Sequence, residues 1–168
     1  MKNRTRHMAH AAIIAALYTV LTHLQNLILA GSASWAAQMR FSEVLCILAF
    51  FTPAAIPGLT IGCLLFNITF SAALPLDFLV GTLATWLSAR CMYLTRKLRL
   101  GGIPVVGLLM PALFNAVLVG WELTVYIGSS FWLNALSVAL GELAVLLVPG
   151  TALYLVMNNR GLDQRLFG

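Results

Sequence analysis

Residues 114–122 read Phe-Asn-Ala-Val-Leu-Val-Gly-Trp-Glu, an apolar run that contains an amide and a carboxylate, Asn115 and Glu122. In a helix, this spacing corresponds to about 20° of rotation and ~10 Å of rise, so both side chains lie on one face. A second apolar run, residues 131–143, contains Trp132, Asn134 and Glu142. A carboxylate in a hydrophobic helix is costly unless it faces protein or a wet cavity, and its default interpretation is functional. Both helices are therefore predicted to line a polar site.

The composition is that of an integral membrane protein. Of the 168 residues, 61% are hydrophobic and 9% are charged, whereas roughly 25% of the residues in a typical soluble domain are charged. One span needs about 20 apolar residues, so the length accommodates about six spans with short loops. The chain is therefore predicted to be an all-α membrane protein with a single transmembrane domain, residues 1–168, and no soluble domain.

Six apolar segments can be placed between turn-forming and charged residues. The predicted helices cover residues 8–29, 40–51, from the Pro-Gly turn at 57–58 to about 72, from 77 to the basic group at 90–99, 104–126 and 131–157. Residues 31–39 are predicted to be a loop because the segment contains several small and polar residues. The second segment makes only ~18 Å of helix, which is less than a span, so this helix is predicted to be short, tilted or buried in protein.

The distribution of basic residues predicts the orientation. Three groups contain nine of the ten Lys and Arg residues: Lys2, Arg4 and Arg6; Arg90, Arg96, Lys97 and Arg99; Arg160 and Arg165. Such groups beside apolar runs are topology signals, and they predict no nucleic-acid binding. All three lie on one side only if the number of spans is even. The expectation is six spans with both termini in the cytoplasm, in a prokaryotic plasma membrane, and a polar pocket open to the outside.

Several polar residues have a structural interpretation beside the functional one. Arg40 and Glu43 have the spacing of an ion pair at a helix start. Asp77 is placed to cap the fourth helix. Trp121 and Trp132 could belong to an interfacial aromatic belt, although an aromatic ring over a pocket would also stack on a flat ligand.

Glu122 and Glu142 are harder to explain structurally, because no Lys or Arg lies on their own helices. The first helix contains overlapping small-residue pairs that allow close helix packing. Those alanines are Ala9, Ala11, Ala12, Ala15 and Ala16. Taken alone, this face favours packing within the chain over a partner surface.

Several kinds of chemistry are not indicated. The sequence lacks the G-x-x-x-x-G-K-[ST] motif of ATP-binding loops, and no Ser or Cys has a base positioned by its spacing. Cys46, Cys63 and Cys91 lie in apolar runs and are interpreted as packing residues. The three histidines predict no metal site. The chain is therefore expected to be a binding subunit without a cofactor, not an enzyme, that obtains its energy from partners.

Six ordered blocks carry a family resemblance: Ala-His-Ala-Ala-Ile-Ile-Ala-Ala-Leu-Tyr in the first helix, Arg-Phe-Ser-Glu-Val-Leu from Arg40, Phe-Thr-Pro-Ala-Ala-Ile-Pro-Gly-Leu from Phe51, Leu-Asp-Phe-Leu-Val-Gly-Thr-Leu-Ala-Thr from Leu76, Asn-Ala-Val-Leu-Val-Gly-Trp-Glu-Leu from Asn115, and Phe-Trp-Leu-Asn-Ala-Leu-Ser-Val-Ala-Leu-Gly-Glu-Leu from Phe131. Through them the chain resembles the QueT-type queuosine-precursor S-components of energy-coupling factor (ECF) transporters. The resemblance covers nearly the whole chain.

This resemblance implies a six-transmembrane-helix S-component bundle that binds a deazaguanine and works with a transmembrane coupling subunit and two cytoplasmic ATPase subunits. It also implies that the small-residue face docks on the coupling subunit, through Ala11, Ala12, Ala15 and Ala16. A carboxylate can accept two adjacent N–H groups of a guanine-like base, and an Asn amide or Arg can donate to its carbonyl. The candidate substrate-binding residues are Glu122, Asn134, Asn115, Glu142, Trp132, Arg40, Glu43 and Asp77.

Two other functions remain open from the sequence. The chain could be an S-component for a different vitamin, which has the same architecture and a different pocket. It could also be a small proton-coupled carrier or channel in which Glu122 and Glu142 form a relay, and it would then be active without ATPase partners.

Overall fold

The computed structural model describes residues 2–29, 40–70 and 74–167, and the secondary structure of these residues is helical apart from turns and one isolated bridge. The elements in chain order are α1 (Lys2–Ile28), a 3₁₀ helix (Phe41–Phe50), α2 (Ala55–Thr69), α3 (Asp77–Thr95), α4 (Val105–Leu108), α5 (Met110–Ile127), α6 (Phe131–Val145), a π-helical turn (Leu146–Gly150), α7 (Thr151–Asn159) and α8 (Leu162–Phe167). The predicted loop at 31–39 and the predicted end of the third helix at residue 72 lie outside the described residues.

The helical segments follow the predicted order. By length and composition, three stretches are long and apolar enough to cross a membrane: Arg4–Ile28, Val105–Ile127 and Phe131–Asn159. The 3₁₀ helix and α2 are shorter apolar helices. Helix α3 has 19 residues, which is ~28 Å of helix and close to the thickness of a hydrocarbon core. The described residues thus form an all-α protein with several membrane-spanning helices.

Several helix boundaries differ from the prediction. Helix α1 begins six residues earlier than the predicted residue 8, because the basic residues that precede its apolar run are also helical. By contrast, helix α3 ends at Thr95, inside the basic group at residues 90–99 where the fourth segment was predicted to end. The fifth segment is divided at Leu109, where α4 ends and α5 begins with Pro111 in its first turn. Proline is tolerated there because the first N–H groups of a helix have no partner within it.

The 3₁₀ helix is buried at the centre of the bundle. It packs against α1, α2, α3, α6, α7 and the π-helical turn. The side chains of Cys46, Ile47 and Ala49 have no accessible surface. At about 2.0 Å of rise per residue, this helix spans only ~20 Å. The structure therefore confirms two of the three predicted alternatives for this segment, since the helix is both short and buried in protein.

Helices α1 and α2 pack closely because α2 presents two glycines to α1. A Cβ atom on Gly58 would lie 2.8 Å from the carbonyl oxygen of Ala11, and one on Gly62 would lie 2.7 Å from the Cβ atom of Tyr18. Real Cβ atoms do not approach heavy atoms this closely. The small residues on both helices therefore set the distance between the two backbones, as in other small-xxx-small interfaces.

The last long apolar segment is not one regular helix. Helices α6 and α7 are joined by the π-helical turn, which contains Pro149. Proline lacks the N–H group that would continue the α-helical ladder, so the chain accommodates it by widening one turn. The segment stays continuous from Phe131 to Asn159 and keeps Leu146 and Tyr154 in the core.

We predict that Gly62→Ala destabilises the isolated protein by about 1–3 kcal/mol, because the added methyl group overpacks the α1–α2 interface. The change should appear as a lower melting temperature in detergent. Ala16→Val is the matched control, because it adds bulk to the exposed side of the same helix pair. Equal melting temperatures for Gly62→Ala and the unmodified protein would contradict the packing described here.

Candidate functional site

The first buried ionic contact joins the starts of two helices. Arg40 precedes the 3₁₀ helix and Asp77 begins α3. The Arg40 Nη2 atom lies 3.4 Å and 3.3 Å from the two carboxylate oxygens of Asp77. Both residues are buried. The sequence-based interpretation of Asp77 as a helix cap is wrong: its side chain makes an ion pair with Arg40, and no side chain caps α3 by a hydrogen bond.

Asn67 of α2 also contacts the start of α3. Its Nδ2 atom donates a 2.8 Å hydrogen bond to the backbone carbonyl of Asp77. Gly81 provides the space for this contact, since a Cβ atom there would lie 2.8 Å from Asp77 Oδ1 and 3.0 Å from Asn67 Nδ2. Asn67 was not predicted as a site residue. The available signal was its position as a lone amide in an apolar helix.

Glu43 lies one turn into the 3₁₀ helix and accepts hydrogen bonds from two uncharged donors. The Tyr18 hydroxyl donates to Oε1 at 2.5 Å, and the Cys46 thiol donates to Oε2 at 2.8 Å. All three side chains are buried. Tyr18, on α1, was not predicted either, because a tyrosine in an apolar helix carries no signal of its partner. The contact brings α1 into the site.

Asn115 and Glu142 connect α5 to α6. The Asn115 Nδ2 atom donates to Glu142 Oε1 at 2.8 Å, and both residues are buried. The second carboxylate oxygen, Oε2, has no hydrogen-bond partner among the described residues. Glu142 also interacts electrostatically with Glu43 and Arg40, so it belongs to the same polar region.

Glu122 is the buried group with the fewest partners. Its side chain has no accessible surface, and neither carboxylate oxygen has a hydrogen-bond partner in the described part of the chain. It interacts electrostatically with Asp77 and Arg40, the two members of the ion pair. A buried carboxylate that lacks a hydrogen-bond donor is strongly destabilising unless a ligand or water supplies one.

These contacts define one buried polar cluster from five helices. Its members are Arg40, Glu43, Asn67, Asp77, Asn115, Glu122 and Glu142. The sequence predicted six of the seven. The cluster contains four of the five acidic residues of the chain and one of its ten Lys and Arg residues.

Two predicted site residues, Asn134 and Trp132, make their contacts outside the cluster. The Asn134 side chain accepts a 2.8 Å hydrogen bond from Ser129 and donates a 3.1 Å one to Thr124, which ties the α5–α6 turn together. Trp132 is 78% exposed and lies on the outer surface. Two positions apart on a helix is about 200° of rotation, so Trp132 points away from the interior that Asn134 faces. Its orientation is that of a residue in a lipid-facing aromatic belt.

The alanine face of α1 is divided between two environments. Ala11 and Ala15 are buried, and their backbone atoms lie close to Gly58 and Gly62. Ala12 and Ala16 are exposed. They line an apolar groove together with His7, Met8, Pro57, Ile61 and Leu65. Of the four alanines predicted to form a partner surface, only these two have side chains that a partner could reach in this arrangement.

Within the described residues, no group of three or more His, Cys, Asp and Glu side chains is arranged to hold a metal ion. The carboxylates of the cluster are engaged with Arg40, Tyr18, Cys46 and Asn115, or have no hydrogen-bond partner among those residues.

We predict that Arg40→Met lowers the stability of the isolated protein by about 3–5 kcal/mol, because it leaves Asp77 buried without a counter-charge. Adding Asp77→Asn should recover part of this loss. Thermal unfolding of the single and double variants measures the coupling. Additive losses would contradict a direct pair between the two side chains.

The chain matches a protein family over most of its length. No curated protein and no solved structure matched the chain. A family model, described as QueT transporter, matches residues 8–159, which is most of the chain and includes every member of the cluster. The chain therefore belongs to the QueT transporter family and is a multi-pass protein of the cell membrane.

Proposed function

We propose that this chain is the substrate-binding S-component of an ECF-type ABC importer, and that it captures a queuosine precursor with a deazaguanine base from outside the cell. The family membership supports membrane transport. The observation that carries the proposal is Glu122, whose buried carboxylate has no hydrogen-bond partner among the described residues. A site that lacks donors when empty is suited to a ligand that supplies them.

The chemistry of a deazaguanine fits this need. Its ring N–H and exocyclic amine lie side by side and can donate two parallel hydrogen bonds to one carboxylate. Glu122 is the proposed acceptor. Arg40, Asn115 and Glu142 are proposed to surround the base. Glu43 and Asp77 are proposed to fix the positions of the neighbouring charged side chains. Asn134 and Trp132 are left out of the proposed site, because their side chains have other contacts or face outward.

The proposed topology has six spans and both termini in the cytoplasm. It is supported by six helical segments in order and by the grouping of basic residues. Helix α3 starts at Asp77 and ends beside the basic residues 96–99. Its two ends are therefore ~28 Å apart. If the basic loop is cytoplasmic, Asp77 and the ion pair lie toward the outside, where a substrate would enter.

The proposed partners are a transmembrane coupling subunit and two cytoplasmic ATPases. They would supply the energy, because the sequence contains no ATP-binding loop motif. The coupling subunit is proposed to dock on the groove beside Ala12 and Ala16, where the side chains are small and the surface is apolar. A proton-coupled carrier that uses Glu122 and Glu142 is the alternative, and it would transport without these partners.

We predict that Glu122→Gln reduces the affinity for a deazaguanine by 2 to 5 kcal/mol, or between about 30-fold and a few thousand-fold. Glutamine keeps the shape but presents an N–H₂ group to a ligand donor. The unliganded variant should melt no lower than the parent, because the substitution removes a buried charge. Calorimetry and thermal unfolding of purified protein measure the two effects.

The control for Glu122→Gln is Asp163→Asn, which neutralises the acidic residue of the chain that lies outside the cluster, on α8. This variant should bind as the parent does. Affinity of Glu122→Gln within threefold of the parent would remove Glu122 from the proposed site.

We predict that Ala12→Trp or Ala16→Trp abolishes uptake in cells that contain the complete transporter, while ligand binding by the isolated subunit stays nearly intact. The reason is steric: a large side chain in the groove blocks close approach of a partner helix. Leu83→Trp is the control, because Leu83 is exposed on α3, away from the groove. Normal uptake with tryptophan in the groove would rule out this surface as the docking site.

A further inference from the structure

The segment between α3 and α4 folds back on itself through a two-residue turn. Leu100 and Ile103 form an isolated antiparallel bridge, with backbone hydrogen bonds of 2.8 Å and 3.1 Å. Between them, Gly101 and Gly102 have φ angles of 58° and 86°. Glycine adopts positive φ without strain, and positive φ at both central positions is typical of tight two-residue turns. The turn therefore places the residues that follow α3 beside the residues that begin α4.

A groove of about 390 Å³ lies between these two arms of the chain, and we call it the basic groove. Its lining residues are Lys97, Leu98, Arg99, Leu100, Val105 and Val106. Basic and apolar residues alternate along the first arm, and the second arm is apolar. Leu98 and Leu100 are 58% and 74% exposed. The basic groove thus combines cationic side chains with apolar surface that the described part of the chain leaves uncovered.

The two cations of the basic groove have no carboxylate partner. Among the described residues the salt bridge joins Arg40 to Asp77, and neither Lys97 nor Arg99 takes part in one. Arg99 makes a single long hydrogen bond, 3.5 Å from its Nε atom to a backbone carbonyl oxygen. By contrast, the guanidinium of Arg96 lies over the ring of Tyr93, 3.7 Å from its centroid. Lys97 and Arg99 are therefore the basic residues of this turn that remain available to a ligand.

The part of the protein that surrounds the basic groove carries a large excess of positive charge. Nine of the ten Lys and Arg residues lie at the termini and in the segment 90–99. Four of the five acidic residues belong to the buried polar cluster. Asp163, on α8, is the remaining acidic residue of the sequence. A partner of the basic groove is therefore expected to be anionic.

The position of the basic groove favours a lipid over a soluble anion. Helix α3 is ~28 Å long and ends at Thr95, so Lys97 lies where this helix reaches the membrane interface. Val105 begins the apolar stretch Val105–Ile127, which is long enough to cross a membrane. The groove therefore has cationic residues at the interface and apolar residues at the start of a membrane helix. A phospholipid has the same arrangement, because its phosphate is joined to acyl chains.

We propose that the basic groove binds an anionic phospholipid of the leaflet that borders it. Lys97 and Arg99 hold the phosphate group, and an acyl chain lies along Leu100, Val105 and Val106. Groups of four or more basic residues beside a membrane helix are typical of anionic-lipid recognition, and the segment 90–99 contains four. This inference goes beyond the proposed function and does not depend on the substrate of the buried polar cluster.

The ligand arm of the experiment compares probes that differ in charge or in acyl chains. Dioctanoyl phosphatidylglycerol is anionic, and dioctanoyl phosphatidylcholine has the same chains with a zwitterionic headgroup. Native mass spectrometry of the full-length purified protein should show about thirtyfold tighter binding of phosphatidylglycerol, since each basic side chain contributes about fivefold. Glycerol 3-phosphate at the same concentration should not displace phosphatidylglycerol, because it has no acyl chain to occupy the apolar part of the groove.

The protein arm uses the double variant Lys97→Gln, Arg99→Gln. It should lose about thirtyfold in affinity for phosphatidylglycerol and then bind both lipids alike. The matched control is Arg4→Gln, Arg6→Gln, which removes the same charge from exposed residues of α1 that do not line the groove. The control should bind phosphatidylglycerol within threefold of the parent. The ligand arm uses the unmodified protein, so it tests the proposal even if a variant fails to fold.

The possible results separate a specific lipid site from other roles of the basic residues. Binding of the two lipids within threefold of each other would overturn the proposal. Equal losses in the double variant and in the control would show general charge attraction, which also overturns it. Displacement by glycerol 3-phosphate would identify a site for soluble anions instead of a lipid site.

A protein partner is the other anionic occupant that the experiment detects. If the double variant keeps its affinity for phosphatidylglycerol but no longer co-purifies with the proposed coupling subunit and ATPases, the basic groove is a protein contact and the lipid proposal is wrong. Deazaguanine binding by the double variant should equal that of the parent. Failure of lipid binding and failure of the proposed substrate binding are therefore separate observations.

Discussion

The buried ion pair between Arg40 and Asp77 is the interaction on which the polar interior depends. It joins the start of the 3₁₀ helix to the start of α3, and it places a guanidinium within electrostatic range of Glu122 and Glu142. Removing one partner of such a pair leaves a charge with no compensation, at a cost of about 3–5 kcal/mol. The pair also explains the glycine at position 81, because a larger residue would displace Asp77 or Asn67.

The close packing of α1 against α2 depends on small residues. Gly58 and Gly62 let α2 approach α1 closely, and this contact turns Ala11 and Ala15 inward. Ala12 and Ala16 stay on the outside, next to an apolar groove. In a lipid environment, helix association depends on such close packing, since lipid tails are as apolar as the side chains they contact. One short stretch of α1 thus packs against α2 on one side and leaves small side chains exposed on the other.

The cluster differs from a structural polar network in what it leaves unsatisfied. A network that only stabilises a fold has its donors and acceptors paired, because each unpaired buried group reduces stability. Here the carboxylates of Glu43 and Asp77 are paired, whereas Glu122 has no partner among the described residues and Glu142 has one. Part of the cluster thus holds its own geometry, whereas Glu122 and Glu142 keep acceptor oxygens that no described residue satisfies.

The sequence by itself determined which segments are apolar helices and that the protein is a membrane protein. It also indicated six of the seven residues of the cluster, because a charged or amide side chain in a long apolar run is visible without coordinates. It could not determine which residues meet. Arg40 and Asp77 are 37 positions apart, and Asn115 and Glu142 are 27 apart. Such pairs depend on how whole helices are placed against each other. The same holds for Tyr18 and Asn67, whose roles follow from their partners, and for Trp132, which faces outward. Residue type is local information, whereas the rotation of each helix about its axis is set by packing against its neighbours, and only the tertiary structure decides it.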